Sequence, residues 1–316
     1  MNPRISNFLS GLSARTKRRM ILFALVLFVA LWSAGMYARH KIDDDVNFAV
    51  TPADFTGGSH AVAIEAALIH REVDVHKWVS NAPFFEPSHY LDNMANFQQG
   101  IVYALGRFTI SLGDQIGRAR GSSQIDPDLD HAVGFLKYSP TVWIFNPKTS
   151  LLPTTSSDTQ YRSAREALLS YNKRLAAGQA VFDPRSDNLM ATLDSISADL
   201  GSQSALIEQY LAEKHFWLTE SHSDDIFYAT KGRMYADYLI LRELKTDYAQ
   251  VIKDRDLTAI WDNALTSFKE GIELRPLIII DGAPDSQFIP SHLAAQGFFL
   301  LRARTNLREI SSVLSK

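Results

Sequence analysis

The ionisable and hydrogen-bonding residues of this chain gather in four places where type and spacing admit chemistry. His60, His70 and His76, with Glu65, Glu72 and Asp74 among them, bring imidazoles and carboxylates into one short stretch. Metal ligands on a single helix must recur at i and i+3 or i+4, the spacing of the His70/Asp74 pair. Exposed polar residues on a helical face explain the group as well as a metal would. Glu220, His222, Asp224 and Asp225 stand closer together, as TESHSDD. Such carboxylates suit a hard cation or acid–base work in a cleft, and equally a loop in which Asp224 or Asp225 caps the next helix. The run Gly117-Arg118-Ala119-Arg120-Gly121-Ser122-Ser123 joins guanidinium forks, glycines and hydroxyls at the end of a long helix. Arg118, Arg120, Ser122 and Ser123 could hold a carboxylate or phosphate, although cations and glycine at a helix C-terminus also serve the helix alone. Finally, Pro83-Phe84-Phe85-Glu86-Pro87 with Asn93, Asn96 and Gln98 resembles an aromatic-lined recognition surface. The plainer expectation puts both Phe in the core, with Asp92 or Asn93 capping a helix.

The familiar catalytic signatures are missing. The chain has no GxxxxGK[ST] phosphate loop, no strand-linked GxGxxG, no HExxH, no GxSxG and no acidic calcium loop. Zero cysteines exclude disulfides, thiolate metal sites and cysteine nucleophiles. No residue is therefore assigned to catalysis, to a metal or to a cofactor. Glu65 and Glu220 remain the candidates should the protein use a carboxylate on cell-wall glycan.

The elements that must position these groups read as helices. Phe97, Ile101, Leu105, Phe108, Leu112 and Ile116 form the cleanest stripe at the helical period, which leaves Gln115 facing solvent. Ile64 and Leu68 mark a helix from about Ser59, a plausible N-cap, to Val79. Asp126-Pro127 is an N-cap followed by proline at the first helical position. Tyr161 to Leu175 stops before Gly178, and Leu189 to Leu200 stops before Gly201, taken as a C-cap. Patterns through Phe227 to Leu241 and Ile260 to Ile272 follow, the latter ended by Pro276. A last helix runs from about Pro290 to Leu314 with Ser291 as N-cap, and Arg302, Arg304 and Arg308 form a basic stripe expected to face solvent. Leu277 to Ile280 reads as a strand or buried coil. Residues 139–159 carry three prolines around Val142-Trp143-Ile144-Phe145, so they divide two helical halves or form a long loop whose apolar insert is packed. The spacing predicts an all-α fold, without a solenoid repeat.

Met20 to Tyr37 is 18 residues without a charge, or about 27 Å of helix, enough to cross a bilayer core. Arg4, Arg15, Lys17, Arg18 and Arg19 precede it, and Asp43, Asp44 and Asp45 follow. The charge bias predicts a cytoplasmic N-terminus and an external remainder. Ser33-Ala34-Gly35 would serve as a signal-peptide cleavage site, but the apolar run exceeds a usual signal core, so a retained anchor is expected. A mitochondrial transit peptide fits less well because a membrane span follows. The expected organisation is a basic N-terminus (1–19), in which Ile5, Phe8, Leu9 and Leu12 share a face, an anchor (20–37), a polar linker (38–58) and a helical domain (59–316). Residues 42–316 hold 25 Lys and Arg against 35 Asp and Glu, a net charge of −10. So acidic a domain is a poor match for nucleic acid.

Six segments, GGSHAVAIEAALIHREV (57–73), LDNMANFQQGI (91–101), IGRARGSS (116–123), DNLMATLDSISADLGS (187–202), YATKGRMYADYLIL (228–241) and PSHLAAQGFFLLRARTNL (290–307), resemble the bacterial membrane-anchored family named domain of unknown function 2333. The resemblance implies a single inner-membrane anchor, an outward helical domain and a Gram-negative source. It implies no activity and no site residues. The expected function is a periplasmic scaffold or accessory subunit that holds an envelope protein, against two rivals: the glycan-acting enzyme, and a receptor for a small anion at Arg118/Arg120.

Overall fold

In a computed structural model of the chain, residues 13–51, 55, 57–119, 126–145, 152–212, 222–276, 278–280 and 291–316 are described, with backbone only at 116–119. They form ten α-helices: α1 (Ala14–Arg39), α2 (His60–His70), α3 (Asp92–Ala119), α4 (Pro127–Leu136), α5 (Ser157–Ala176), α6 (Ser186–Ala212), α7 (His222–Asp247), α8 (Ala249–Asp254), α9 (Thr258–Ile272) and α10 (His292–Leu314). Among the described residues there is no β-sheet, so the all-α expectation holds. The helix α1 is long and apolar enough to cross a membrane, and its window of highest hydropathy buries nothing against the rest of the protein.

The other helices share one core. α3 and α7 form its central pair, α6 and α10 pack together, and α2 lies between α5 and α7. That position explains why α2 is buried on almost every side, from Ala61 to Ile69, a pattern expected of a fully enclosed helix. The stripe through Phe97, Ile101, Leu105, Phe108 and Leu112 faces inward as its period requires; burying each such side chain contributes roughly 1.5–3 kcal/mol. The α3–α7 crossing is so close that a methyl on Gly100 would overlap the Ala229 carbonyl oxygen, and one on Gly232 that of Phe97. The caps expected from sequence form: Ser59 accepts from the Val62 amide at 3.2 Å, Asp126 from Asp128 at 3.1 Å, and Ser291 from Ala294 at 3.1 Å. Gly178, at φ +69, follows the end of α5.

Four expectations are corrected. Gln115 is only 3% exposed, because α6 crosses over it and its amide donates to Thr192 Oγ1 at 2.6 Å. Gly201 lies inside α6 and ends nothing; a methyl there would stand 2.8 Å from the Arg304 guanidinium carbon, so the glycine makes room for a side chain of α10. Phe84 and Phe85 are exposed and stack edge to face with each other, 5.4 Å between centroids. Ile144 and Phe145 are exposed too. Their loop is held by its backbone instead, through Thr154 N–H to the Ile144 carbonyl at 2.8 Å and Ser157 N–H to the Val142 carbonyl at 3.0 Å. The amphipathic face through Ile5 to Leu12 lies outside the described residues.

Candidate functional site

The segment 42–50, expected as a linker, is clamped to the domain. Ile42, Val46, Phe48 and Val50 pack against the core, and the three aspartates between α1 and the domain meet the turn after α2, α7 and the segment after α9. Asp44 lies 2.7 Å from Lys231 Nζ on α7 and 2.6 Å from Arg275 Nη2 after α9. Asp43 faces Arg71 Nη1 at 3.7 Å and His76 Nε2 at 3.4 Å. The Asp45 carbonyl accepts the Tyr235 hydroxyl at 2.8 Å.

Arg71 is the hub of this clasp, and a local departure from the α-helix places it. α2 passes into a π-helical turn, Arg71–Val75, whose wider winding turns Arg71, Glu72 and Val73 into the interior; such turns often mark functional positions. The Arg71 guanidinium donates to Glu72 Oε1 at 2.8 Å, the Tyr235 hydroxyl at 2.7 Å and the Asp43 carbonyl at 2.9 Å. It also lies 4.6 Å from the Phe48 ring centroid, a cation–π arrangement. Gln98 of α3 closes the turn by donating to the Lys77 carbonyl at 3.0 Å and accepting from the Val79 amide at 3.1 Å. Farther along, Arg242 donates to the carbonyls of Val46 at 2.8 Å and Phe48 at 2.7 Å.

The electrostatics follow from these pairings. The hydrogen bond from His76 holds the Asp43 carboxyl far below the usual range; burial works against this and Arg71 reinforces it. Burial disfavours the charged His76 ring, but Asp43 and Glu72 outweigh it and raise its pKa. Burial pulls Lys231 down, with Asp44 opposing. Asp43, Glu72, Arg71 and His76 thus make a balanced set of charges when His76 is protonated, the condition under which buried ions are tolerated.

Beside the clasp opens a cleft of about 760 Å³. Its floor is apolar, with Ala63 and Ala66 of α2, Phe48 and Val50. Lys41, Arg165 and Lys173 bring positive charge to it. His70 lines the same cleft and pairs with Asp74 at 3.0 Å, while Asp74 also accepts from Arg162 at 2.7 Å. An imidazole oriented by a carboxylate is part of a base, but a nucleophile would have to join it.

The other sequence candidates are not brought into this site. His60 faces Glu243 at 3.9 Å, so the three histidines diverge to separate partners. Among the described residues no group of three or more His, Asp or Glu could hold a metal ion. Glu65 is fully enclosed, accepts from Thr109, and leaves Oε2 without a partner; burial pushes its pKa up to about 8. It is not among the residues that line the cleft. Arg118 falls in the last turn of α3 with its side chain outside the described residues, as are Arg120, Ser122, Ser123 and Glu220. His222 opens α7, with Asp224 and Asp225 in its first turn. Asp225 lies 3.6 Å from His222 and accepts from Asn96 at 2.5 Å; burial, with Asp92 and Asp225 adding to it, raises the Asp224 pKa. Arg302 pairs with Glu270 at 2.7 Å.

Sequence reasoning missed the clasp. Its one visible signal was the Asp43-Asp44-Asp45 run, which topology alone had explained.

The model of one family, "Uncharacterized protein conserved in bacteria (DUF2333)", matches residues 19–221. That span takes in α1 from Arg19 onward, the clasp up to His76 and every residue that lines the cleft. None of the curated proteins and none of the solved structures matches the chain. The chain belongs to the DUF2333 family.

Proposed function

We propose that this protein is a scaffold or accessory subunit of the bacterial cell envelope, fixed in the inner membrane by α1, with its N-terminus in the cytoplasm and its helical domain in the periplasm. The observation that carries the reading is the clasp. A flexible tether lets a domain explore a volume set by its length, whereas a segment locked by Arg71, Lys231, Tyr235 and Arg242 holds the domain at one height and orientation above the membrane. Such an arrangement is useful when the partner is itself fixed at the membrane, because orientation then raises the effective concentration. The partner is an envelope protein that presents an apolar segment with acidic groups to the cleft, where the Ala-lined floor and the Lys41, Arg165 and Lys173 charges complement it. Basic residues before Met20 and acidic ones after Lys41 support the orientation. The burial of Glu65 counts against the carboxylate enzyme.

A photoreactive residue at Leu169, on the exposed wall of the cleft, should give one discrete protein adduct in living cells. The adduct should weaken when Asp43→Ala and Asp44→Ala loosen the clasp. Adducts formed from Phe298 but never from Leu169 or Val75 would overturn the cleft as the contact.

A further inference from the structure

We infer that an aromatic apron on the helical domain, made by Phe84, Phe85, Tyr90, Ile144 and Phe145, is immersed in the lipid interface around the outer end of α1. The inference rests on α1 being a retained span, and goes beyond the scaffold reading by giving the domain a second contact with the bilayer. These side chains are exposed, Phe84 to 72% and Phe85 to 56%, yet they are joined into one surface. Phe85 lies 5.8 Å from Trp143 and Trp143 5.5 Å from Phe145, centroid to centroid. The Tyr90 hydroxyl donates to the Phe84 carbonyl at 3.4 Å. Exposed aromatic patches of this kind mark interaction surfaces, and the continuity of this one with α1 identifies its occupant.

The 3₁₀ turn Pro87–Tyr90 packs directly on α1. Tyr90 meets Trp32 with centroids 6.3 Å apart, Arg39 reaches Glu86 at 3.9 Å, and a methyl on Gly35 would stand only 3.2 Å from the Pro87 ring. The charge-free run Met20–Tyr37 spans about 27 Å, slightly less than a hydrocarbon core of roughly 30 Å. The helix therefore has no spare length with which to lift Trp32 out of the bilayer. Trp32 lies five residues inside the end of that run, about 7.5 Å along the axis, and Tyr90 packs against it. The residues beside Tyr90 must then enter the zone between headgroups and acyl chains, where Trp and Tyr are enriched and the apolar faces of interfacial segments bury Trp, Phe and Leu. Between α1 and Tyr90 lies a groove of about 420 Å³ lined by Phe28, Val29, Trp32, Ser33 and Tyr90. A water-exposed domain would gain by replacing these rings; a membrane-resting one gains by keeping them.

The chain has no cysteine, so single nitroxide labels can be placed without removing native thiols. The full chain is reconstituted in phosphatidylethanolamine and phosphatidylglycerol vesicles with labels at Phe85→Cys, Phe145→Cys, Phe298→Cys and Val26→Cys, and collision with oxygen and with a water-soluble nickel chelate is measured. The Val26 label should be lipid-buried and the Phe298 label freely reached by nickel. Labels at Phe85 and Phe145 should lose most of the nickel collisions seen at Phe298 and gain collisions with oxygen. If Val26 is lipid-buried while Phe85 and Phe145 match Phe298, the apron is overturned and the span stands, and a protein covering the patch becomes the alternative. A nickel-accessible Val26 label would overturn the span and the apron together.

Discussion

Two sets of buried charge in this domain behave in opposite ways. In the clasp, Asp43, Asp44, Arg71, His76 and Lys231 leave water together, each with an opposite charge in reach. Glu65 and Asp237 are buried without that company. Glu65 has only Thr109, and Asp237 feels burial first and then Asp199, with Arg233 too weak to offset them, so its pKa rises well above the usual carboxylate range. Charges that leave water with a partner stay ionised and hold distant segments together; acids that leave water alone keep their proton. The first set fastens the segment after α1 to the domain. The second is part of the core's polar interior and holds no segment from outside.

The comparison breaks most sharply at Asp44. Asp44→Ala strands Lys231 in the interior, and removing one partner of a buried pair costs about 3–5 kcal/mol. Urea unfolding of the detergent-solubilised full chain should show that loss, and an unchanged midpoint would mean the pair is not buried in solution. Glu65→Gln should act in the other direction. The folded acid keeps its proton to about pH 8, while the unfolded one ionises near its ordinary value of about 4.3. The native state therefore binds more protons in that window, and this group's contribution is full below it and lost as pH rises through about 8. Glutamine removes the dependence, so the variant should gain on the order of a few kcal/mol over wild type at pH 8 and little at pH 4.

A smaller effect is expected at His76. Its folded pKa is raised, so its contribution is present below about pH 6.5, the ordinary histidine value, and is lost as pH rises through the folded value. His76→Gln should make the fall in stability between neutral and mildly alkaline pH shallower, while the Glu65 contribution, lost as pH rises through about 8, remains. The smallest change sets a baseline for a neutral buried pair: Gln115→Ala should cost about 1 kcal/mol through its bond to Thr192. Thermal unfolding at several pH values separates all of these.

What was legible in the sequence was what local physics decides. The helical period placed Phe97 to Leu112 inside, the hydroxyl and carboxylate caps began α2, α4 and α10, and the charge-free run announced α1. The clasp was not legible, because Asp44 finds Lys231 and Arg275 far along the chain and no local pattern encodes that meeting. Gln115 and Gly201 were misread for the same reason, since each answers to a side chain on another helix, Thr192 in one case and Arg304 in the other. Phe84 and Phe85 misled because a local apolar run does not say whether any other element will cover it, and among the described residues none does. Of the candidate sites, the pairing of His70 with Asp74 was readable from its spacing. The cleft it lines was not, because α2, α5 and the segment after α1 build it together.

The central claim is that α1 and the domain move as one body through the clasp, and the distance between them tests it. Nitroxides at Tyr37→Cys, near the C-terminal end of α1, and at Leu169→Cys, on α5, would be measured by pulsed dipolar spectroscopy on the full chain in nanodiscs. The account predicts a single narrow distance distribution that broadens when Asp43→Ala and Asp44→Ala are added. A distribution already broad with the clasp intact, and unchanged by those substitutions, would mean that the domain hangs on a tether, and would contradict it.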